Sequence, residues 1–166
     1  MTKKSLSVFA IGLLMWTGAM AQITTTTPPP TGAGTAAFEG HAGFIKSVEG
    51  KVTVVSAAGV TRPVKAGDPL APEDRVETGK DSGASVVLRD GTMMVVGPAS
   101  QLDLKAFRFD STTQDGSIFV ALLRGSMRMI TGLIGKKDPA AVRVETQTAT
   151  IGIRGTDFIV RADGKE

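Results

Sequence analysis

Over residues 84–89 the chain alternates: Ala84, Val86 and Leu88 fall on one face, with Ser85 and Arg89 opposite. A period of two puts successive side chains on opposite sides of an extended backbone, so this run is a strand with one face toward a core. The texture recurs along the chain. Asp90-Gly91 turns the strand into residues 92–96. Leu102 and Leu104 then face away from Gln101, Asp103 and Lys105, and the adjacent pair Ala106-Phe107 suggests a bulge. Further on, Met127 and Met129 alternate with Arg128, Val142 and Val144 with Arg143 and Glu145, and Phe158 and Val160 with Asp157 and Arg161.

Earlier, residues 44–48 and 52–56 read as two strands joined by a hairpin turn at Glu49-Gly50. Strands at 60–65 and 75–78 follow, separated by an irregular stretch holding Gly67, Pro69 and Pro72. Residues 118–123 are the best helix candidate, yet too short to stand alone, and Gly125 breaks the run. Residues 132–139 read as a loop and 149–153 as a strand. The sum is about ten to twelve short twisted strands, the pattern of an all-β sandwich, barrel or solenoid, with no repeat of constant length. The expected core is Val54, Val76, Val86, Leu88, Val96, Leu102, Leu104, Met127, Met129, Val144, Ile151, Phe158 and Val160.

The first residues predict export. Lys3 and Lys4 precede an apolar run to Met20, and Ala19-Met20-Ala21 supplies the small-x-small cleavage pattern of a signal peptide over residues 1–21. The apolar run is shorter than the roughly 20 residues that cross a bilayer, so no stable membrane span is expected after cleavage. Residues 22–42, rich in Thr, Pro and Gly, read as a linker, and residues 43–163 as the β domain. The expected location is periplasmic or extracellular.

Composition narrows the function. The chain has 19 Lys and Arg against 16 Asp and Glu, but Lys3 and Lys4 leave with the leader, so the mature protein is near neutral. That excludes a global field for nucleic acid. With no cysteine, neither a disulfide nor a lipoprotein anchor is available, and packing and ladder bonds must hold the fold. The single tryptophan is Trp16, in the leader, and tyrosine is absent, which counts against sugar-stacking platforms.

Catalytic groups are scarce. His41, the only histidine, lies in the expected linker and reads as an exposed side chain with no second His or Cys for a zinc site. Asp68, Glu73, Asp74, Glu77 and Asp81 are dense, but their spacing matches no calcium loop, and solvated turn acids account for them. No catalytic residue, metal site or cofactor is expected. Between Asp115 and Asp138 there is no acid, whereas Arg124, Arg128, Lys136 and Lys137 occur, a candidate basic patch.

Gly152-Ile153-Arg154-Gly155-Thr156 is an unusual local choice, an arginine between glycines in an apolar ladder. A guanidinium held there needs a carboxylate or several carbonyls. The structural reading has Arg154 pin the closing strand to Asp90, or failing that Asp74. Ligand capture at residues 152–156 is the alternative.

Several motifs run together in order: Gly50-x-Val52, Gly67-Asp68-x-Leu70, Asp74-x-Val76-x-Thr78-Gly79, Ala84-x-Val86-x-Leu88 and Asp90-Gly91-Thr92. Pro98-x-Ser100-x-Leu102, Gly125-x-Met127-Arg128, Val144-x-Thr146 and Gly152-Ile153-Arg154-Gly155-Thr156-x-Phe158-x-Val160 complete the series. In this order and spacing, residues 46–161 resemble the FecR-type periplasmic domain. The resemblance implies a β-rich binding or sensing module without catalysis. Regulatory members carry a cytoplasmic anti-sigma segment ahead of this domain and a further domain behind it. Here a signal peptide stands at the front, so the expectation is a stand-alone module without its own anti-sigma segment. Its expected partner is an envelope protein or cell-wall polymer. An envelope glycan-binding or glycan-hydrolysing protein is the second reading.

Overall fold

The computed structural model describes residues 40–153 and 155–163. The chain there is all-β, with twelve strands in a curled sheet and one short helix. In chain order the strands are β1 (Gly43–Glu49), β2 (Val52–Val55), β3 (Thr61–Pro63), β4 (Pro69–Leu70), β5 (Arg75–Thr78) and β6 (Gly83–Leu88). Then come β7 (Met93–Val96), β8 (Gln101–Phe109), β9 (Gly116–Ile130), β10 (Val142–Thr146), β11 (Thr150–Gly152) and β12 (Asp157–Ala162). The helix α1 (Leu133–Lys137) and a 3-10 turn (Pro139–Ala141) separate β9 from β10.

β9 organises the sheet. Its first part lies between β8 and β10, and its last part between β7 and β12. One half of the sheet therefore runs β4-β1-β6-β7-β9-β12 and the other β3-β2-β5-β8-β9-β10-β11. Every pairing is antiparallel except β9 with β10. That is the reverse of stacked parallel coils. The two halves close on one core, in which Ile45, Val54, Leu88, Leu102, Leu122 and Met129 are fully buried. Of the expected core residues, Ile151 and Phe158 are half-buried and packed against it; the other eleven are buried.

Several of the passages between the halves run along one seam. β1 to β2, β5 to β6 and β7 to β8 all cross there, and β9 bends across it at Gly125. Hydroxyls tie these passages together: Ser82 Oγ accepts the Lys51 N–H at 2.8 Å, and Thr78 Oγ1 donates to Gly97 O at 2.6 Å. Thr78 Oγ1 also accepts the Ser100 N–H, and Ser100 Oγ accepts the Ser126 N–H at 3.0 Å. All three hydroxyl residues are buried, where an unpaired polar atom would cost about 1–3 kcal/mol. At Gly125, φ is +89° and a Cβ would stand 2.6 Å from Ser100 Cα, so only glycine fits the bend.

This seam corrects the expected hairpin at Glu49-Gly50. The turn chemistry is present, with φ +68° at Gly50, but β1 and β2 do not pair with each other. Their connection leaves one half of the sheet for the other. Four smaller expectations also change. Residues 118–123 are strand, in the middle of β9, and Gly125 bends that strand without ending it. The β8 bulge falls at Lys105, between Leu104 and Ala106. The expected loop 132–139 contains α1, a single turn secured by burial of Ile134 and by Leu133 N–H donating to Asp90 O. Alone, so short a helix would not form. Finally, Ala42 is already buried, its N–H bonded to Leu70 O and its carbonyl to Arg89 N–H.

Candidate functional site

Asp90, Gly91 and Thr92 form the β6–β7 turn and are positioned by a buried network. Asp90 Oδ1 accepts the Thr92 N–H at 3.0 Å, and Thr92 Oγ1 donates to Asp90 Oδ2 at 2.7 Å. The same hydroxyl accepts the Gly132 N–H at 2.9 Å. Gly132 lies so close that a Cβ would meet Asp90 O at 2.2 Å and Thr92 N at 2.4 Å. Next to it, Thr131 N–H donates to Thr156 O at 2.8 Å. Two of the motifs, Asp90-Gly91-Thr92 and the segment holding Thr156, thus grip residues 131–133, where β9 leaves the sheet. Asp90 and Thr92 are essentially inaccessible in this node, while Gly91 and Thr156 are exposed.

The rest of residues 152–156 connects β11 to β12. Gly152 and Gly155 are exposed with open space around them, and Arg154 lies outside the described residues, as does any bond it makes to Asp90 or Asp74. Asp74 itself accepts the Ala71 N–H at 2.9 Å, closing its own turn.

The candidate basic patch is divided by acids from elsewhere in the chain. Arg128 makes a two-pronged bond to Asp157, Nε to Oδ1 at 2.9 Å and Nη2 to Oδ2 at 2.5 Å. Lys137 Nζ bonds Asp115 Oδ1 at 2.6 Å. Arg124 and Lys136 are exposed. A window without acids in sequence is therefore partly neutralised in space.

Acids in the dense stretch serve local structure. Asp68 accepts the Lys65 N–H and pairs with Arg62, and Glu77 accepts from Gln101. Among the described residues no group of three or more His, Cys, Asp or Glu is placed to hold a metal. A cleft of about 430 Å³ brings Glu73, Arg75, Asp103 and Lys105 together. Here Asp103, expected on the solvent face, is buried beneath a guanidinium: Arg75 Nε and Nη2 reach its two oxygens at 2.5 and 3.0 Å, and Lys105 Nζ reaches Oδ2 at 3.0 Å. Burial opposes ionisation of Asp103, but the hydrogen bonds and charges of Arg75 and Lys105 outweigh it and hold the carboxyl below its usual range. A general acid needs the opposite shift. The pair is a clasp between β5 and β8.

That clasp predicts a pH dependence. Because the folded state lowers the Asp103 pKa, its stabilisation is complete above the ordinary carboxylate value of about 3.9 and is lost as pH falls through the folded value. Asp103→Asn should therefore flatten the acid side of the stability curve, measured by denaturant unfolding from neutral pH downward. Identical slopes in the two proteins would refute the clasp.

His41 is half-buried, not exposed as expected, because Ala42 beside it is pinned into the core. Its Nδ1 is buried without a hydrogen-bond partner, in a cleft of about 490 Å³ that also takes in Arg89, Phe107 and Arg108.

Sequence reasoning missed the outer face of the β1-β6-β7-β9-β12 half. Cross-strand register sets Phe44, Val87, Met93 and Ile130 in one row, and Val95, Arg128 and Ile159 in the next. Phe44, Val95 and Ile130 are 37–39% exposed and Ile159 is 66% exposed. The signal lay in Met93-Met94-Val95-Val96 and Phe158-Ile159-Val160, where apolar residues occupy both faces. An antiparallel strand with one wet face should alternate.

Comparison with known proteins completes the picture. A family model described as FecR protein matches residues 74–166, more than half of the chain. No curated protein matches it. Among solved structures, a cell surface anchoring domain aligns with 38% of this chain and 83% of its own length, at 36% identity and a TM-score of 0.37.

Proposed function

Since the chain belongs to the FecR protein family, we propose that it works as a non-catalytic binding or sensing module of the cell envelope. One observation carries the reading: the apolar rows Phe44-Val87-Met93-Ile130 and Val95-Ile159 on a sheet face that nothing covers among the described residues. Exposed apolar area of this kind marks protein contact. The ion pair of Arg128 and Asp157 within it supplies a polar rim. A protein partner fits this face better than a glycan, because neither tryptophan nor tyrosine follows Trp16 to stack on sugar. The buried Asp90 and Thr92 and the depressed Asp103 carboxyl support a role without catalysis. Export through a leader cleaved after Ala21, into the periplasm or beyond, belongs to the same proposal.

The test uses the protein recovered from the envelope fraction, whose intact mass should correspond to a chain beginning at Gln22. With a photo-crosslinking residue at Val95, it should capture a discrete protein from envelope extract. The Ile130→Lys variant should lose that capture while keeping its melting temperature. Capture by purified cell-wall glycan, unaffected by Ile130→Lys, would favour the second reading. Protein found only in the cytoplasm with its leader intact would overturn both.

A further inference from the structure

β12 has one edge unused: among the described residues it pairs with β9 alone. The phase of that edge is fixed. Thr131 N–H donates to Thr156 O, and on the far side of β9 Gly97 N–H donates to Ser126 O. By the alternation of antiparallel ladders, Phe158, Val160 and Ala162 turn their backbone groups toward β9. Asp157, Ile159 and Arg161 turn theirs outward. These three side chains are also the exposed ones, so they share the outer face.

We infer that this edge pairs with the same edge of a second copy, antiparallel, with Ile159 on the two-fold axis. A two-fold contact must be self-complementary, and this segment is. With Ile159 opposite Ile159 of the second copy, Asp157 falls opposite Arg161 and Arg161 opposite Asp157. Each opposed pair can exchange both main-chain bonds, because all three residues point those groups to the free edge. On the outer face the contact is then an exposed isoleucine flanked on both sides by opposite charges. Asp157 already holds Arg128, but a carboxylate has about four acceptor sites and Arg128 takes two. Other registers lose this match. Shifting by one residue would place core-facing side chains against outward-facing ones.

The edge explains its own exposure as well. Free strand edges are aggregation hazards, commonly blocked by lysine, proline or bulges. β12 contains none of these, and its charges are arranged so that a copy of itself is the matching partner. Ile159 and Asp157 also belong to the apolar face and its rim, whereas Arg161 lies outside those rows, so Arg161→Asp tests the pairing separately from the partner proposed for that face.

Charge-swapped variants test it. By sedimentation velocity the protein should be a dimer that dissociates on dilution. Asp157→Arg alone and Arg161→Asp alone each set like charges opposite one another twice, and should weaken the dimer about tenfold or more. Mixed together, these two variants restore both opposite-charge pairs and should form a heterodimer. A merely unfolded variant could not be rescued in this way. Ile159→Lys should be monomeric with an unchanged circular dichroism spectrum. A wild-type monomer at every concentration, or a mixture no tighter than either variant alone, would overturn the inference. So would a dimer indifferent to Ile159→Lys.

Discussion

Thr92→Val should be among the most damaging single-atom exchanges in this domain. It keeps the shape of the side chain and removes one hydroxyl. That hydroxyl donates to Asp90 Oδ2 and accepts from the Gly132 N–H, both in fully buried surroundings. Each group left without its partner costs about 1–3 kcal/mol, and more when it is charged. A domain of this size is stable by only about 5–15 kcal/mol, so the loss should appear as a fall in melting temperature of about 10 °C or more. Thr92→Ser keeps the hydroxyl and should recover most of it. Superimposable melting curves for Thr92→Val and wild type would show that the network contributes nothing.

Leu88→Ala is expected to cost about 2–5 kcal/mol, as a large-to-small change in a packed core. Leu88 is buried at the end of β6, and its N–H donates to Thr92 O, so the cavity would open beside the same turn. Val87→Ala, one residue away on the half-exposed face, provides the control and should cost under about 1 kcal/mol. Equal losses at the two positions in urea unfolding would mean that the strand's faces are not distinguished.

The contrast between Leu88 and Val87 shows how much of the fold is legible in the chain. Ala84, Val86 and Leu88 fall inward in the structure as their spacing requires, and Asp90-Gly91 makes the turn its chemistry predicts. Both are local: a strand's pleat and a turn's dihedrals depend on residues a few positions apart. The hairpin at Glu49-Gly50 fails for the complementary reason. Gly50 does turn the chain, but Lys51 is held by Ser82 and by Gly79, about thirty residues on, and those bonds send β2 to the other half of the sheet. Asp103 looked solvated because it alternates with Leu102 and Leu104, and it is buried because Arg75 arrives from β5 to neutralise it.

Sites follow the same division. Asp90, Gly91, Thr92 and Thr156 stood out as odd or recurrent residues, and nothing in their order said that they would converge on residues 131–133. Arg128 and Lys137 read as a basic cluster until Asp157 and Asp115 were brought to them across the fold.

By itself the sequence determined the all-β class, the phase of the clearest strands, most of the core and the membership of a family, because periodicity and motif order are properties of neighbouring residues. Only the tertiary structure decided which strands pair, where the chain changes sheet at Thr78, Ser100 and Gly125, which charges are neutralised, and which apolar face and strand edge remain open among the described residues. Each of these is a choice among distant partners. It is made by whole-chain packing, in which burying a hydroxyl or a carboxylate is tolerated only where a remote donor happens to meet it.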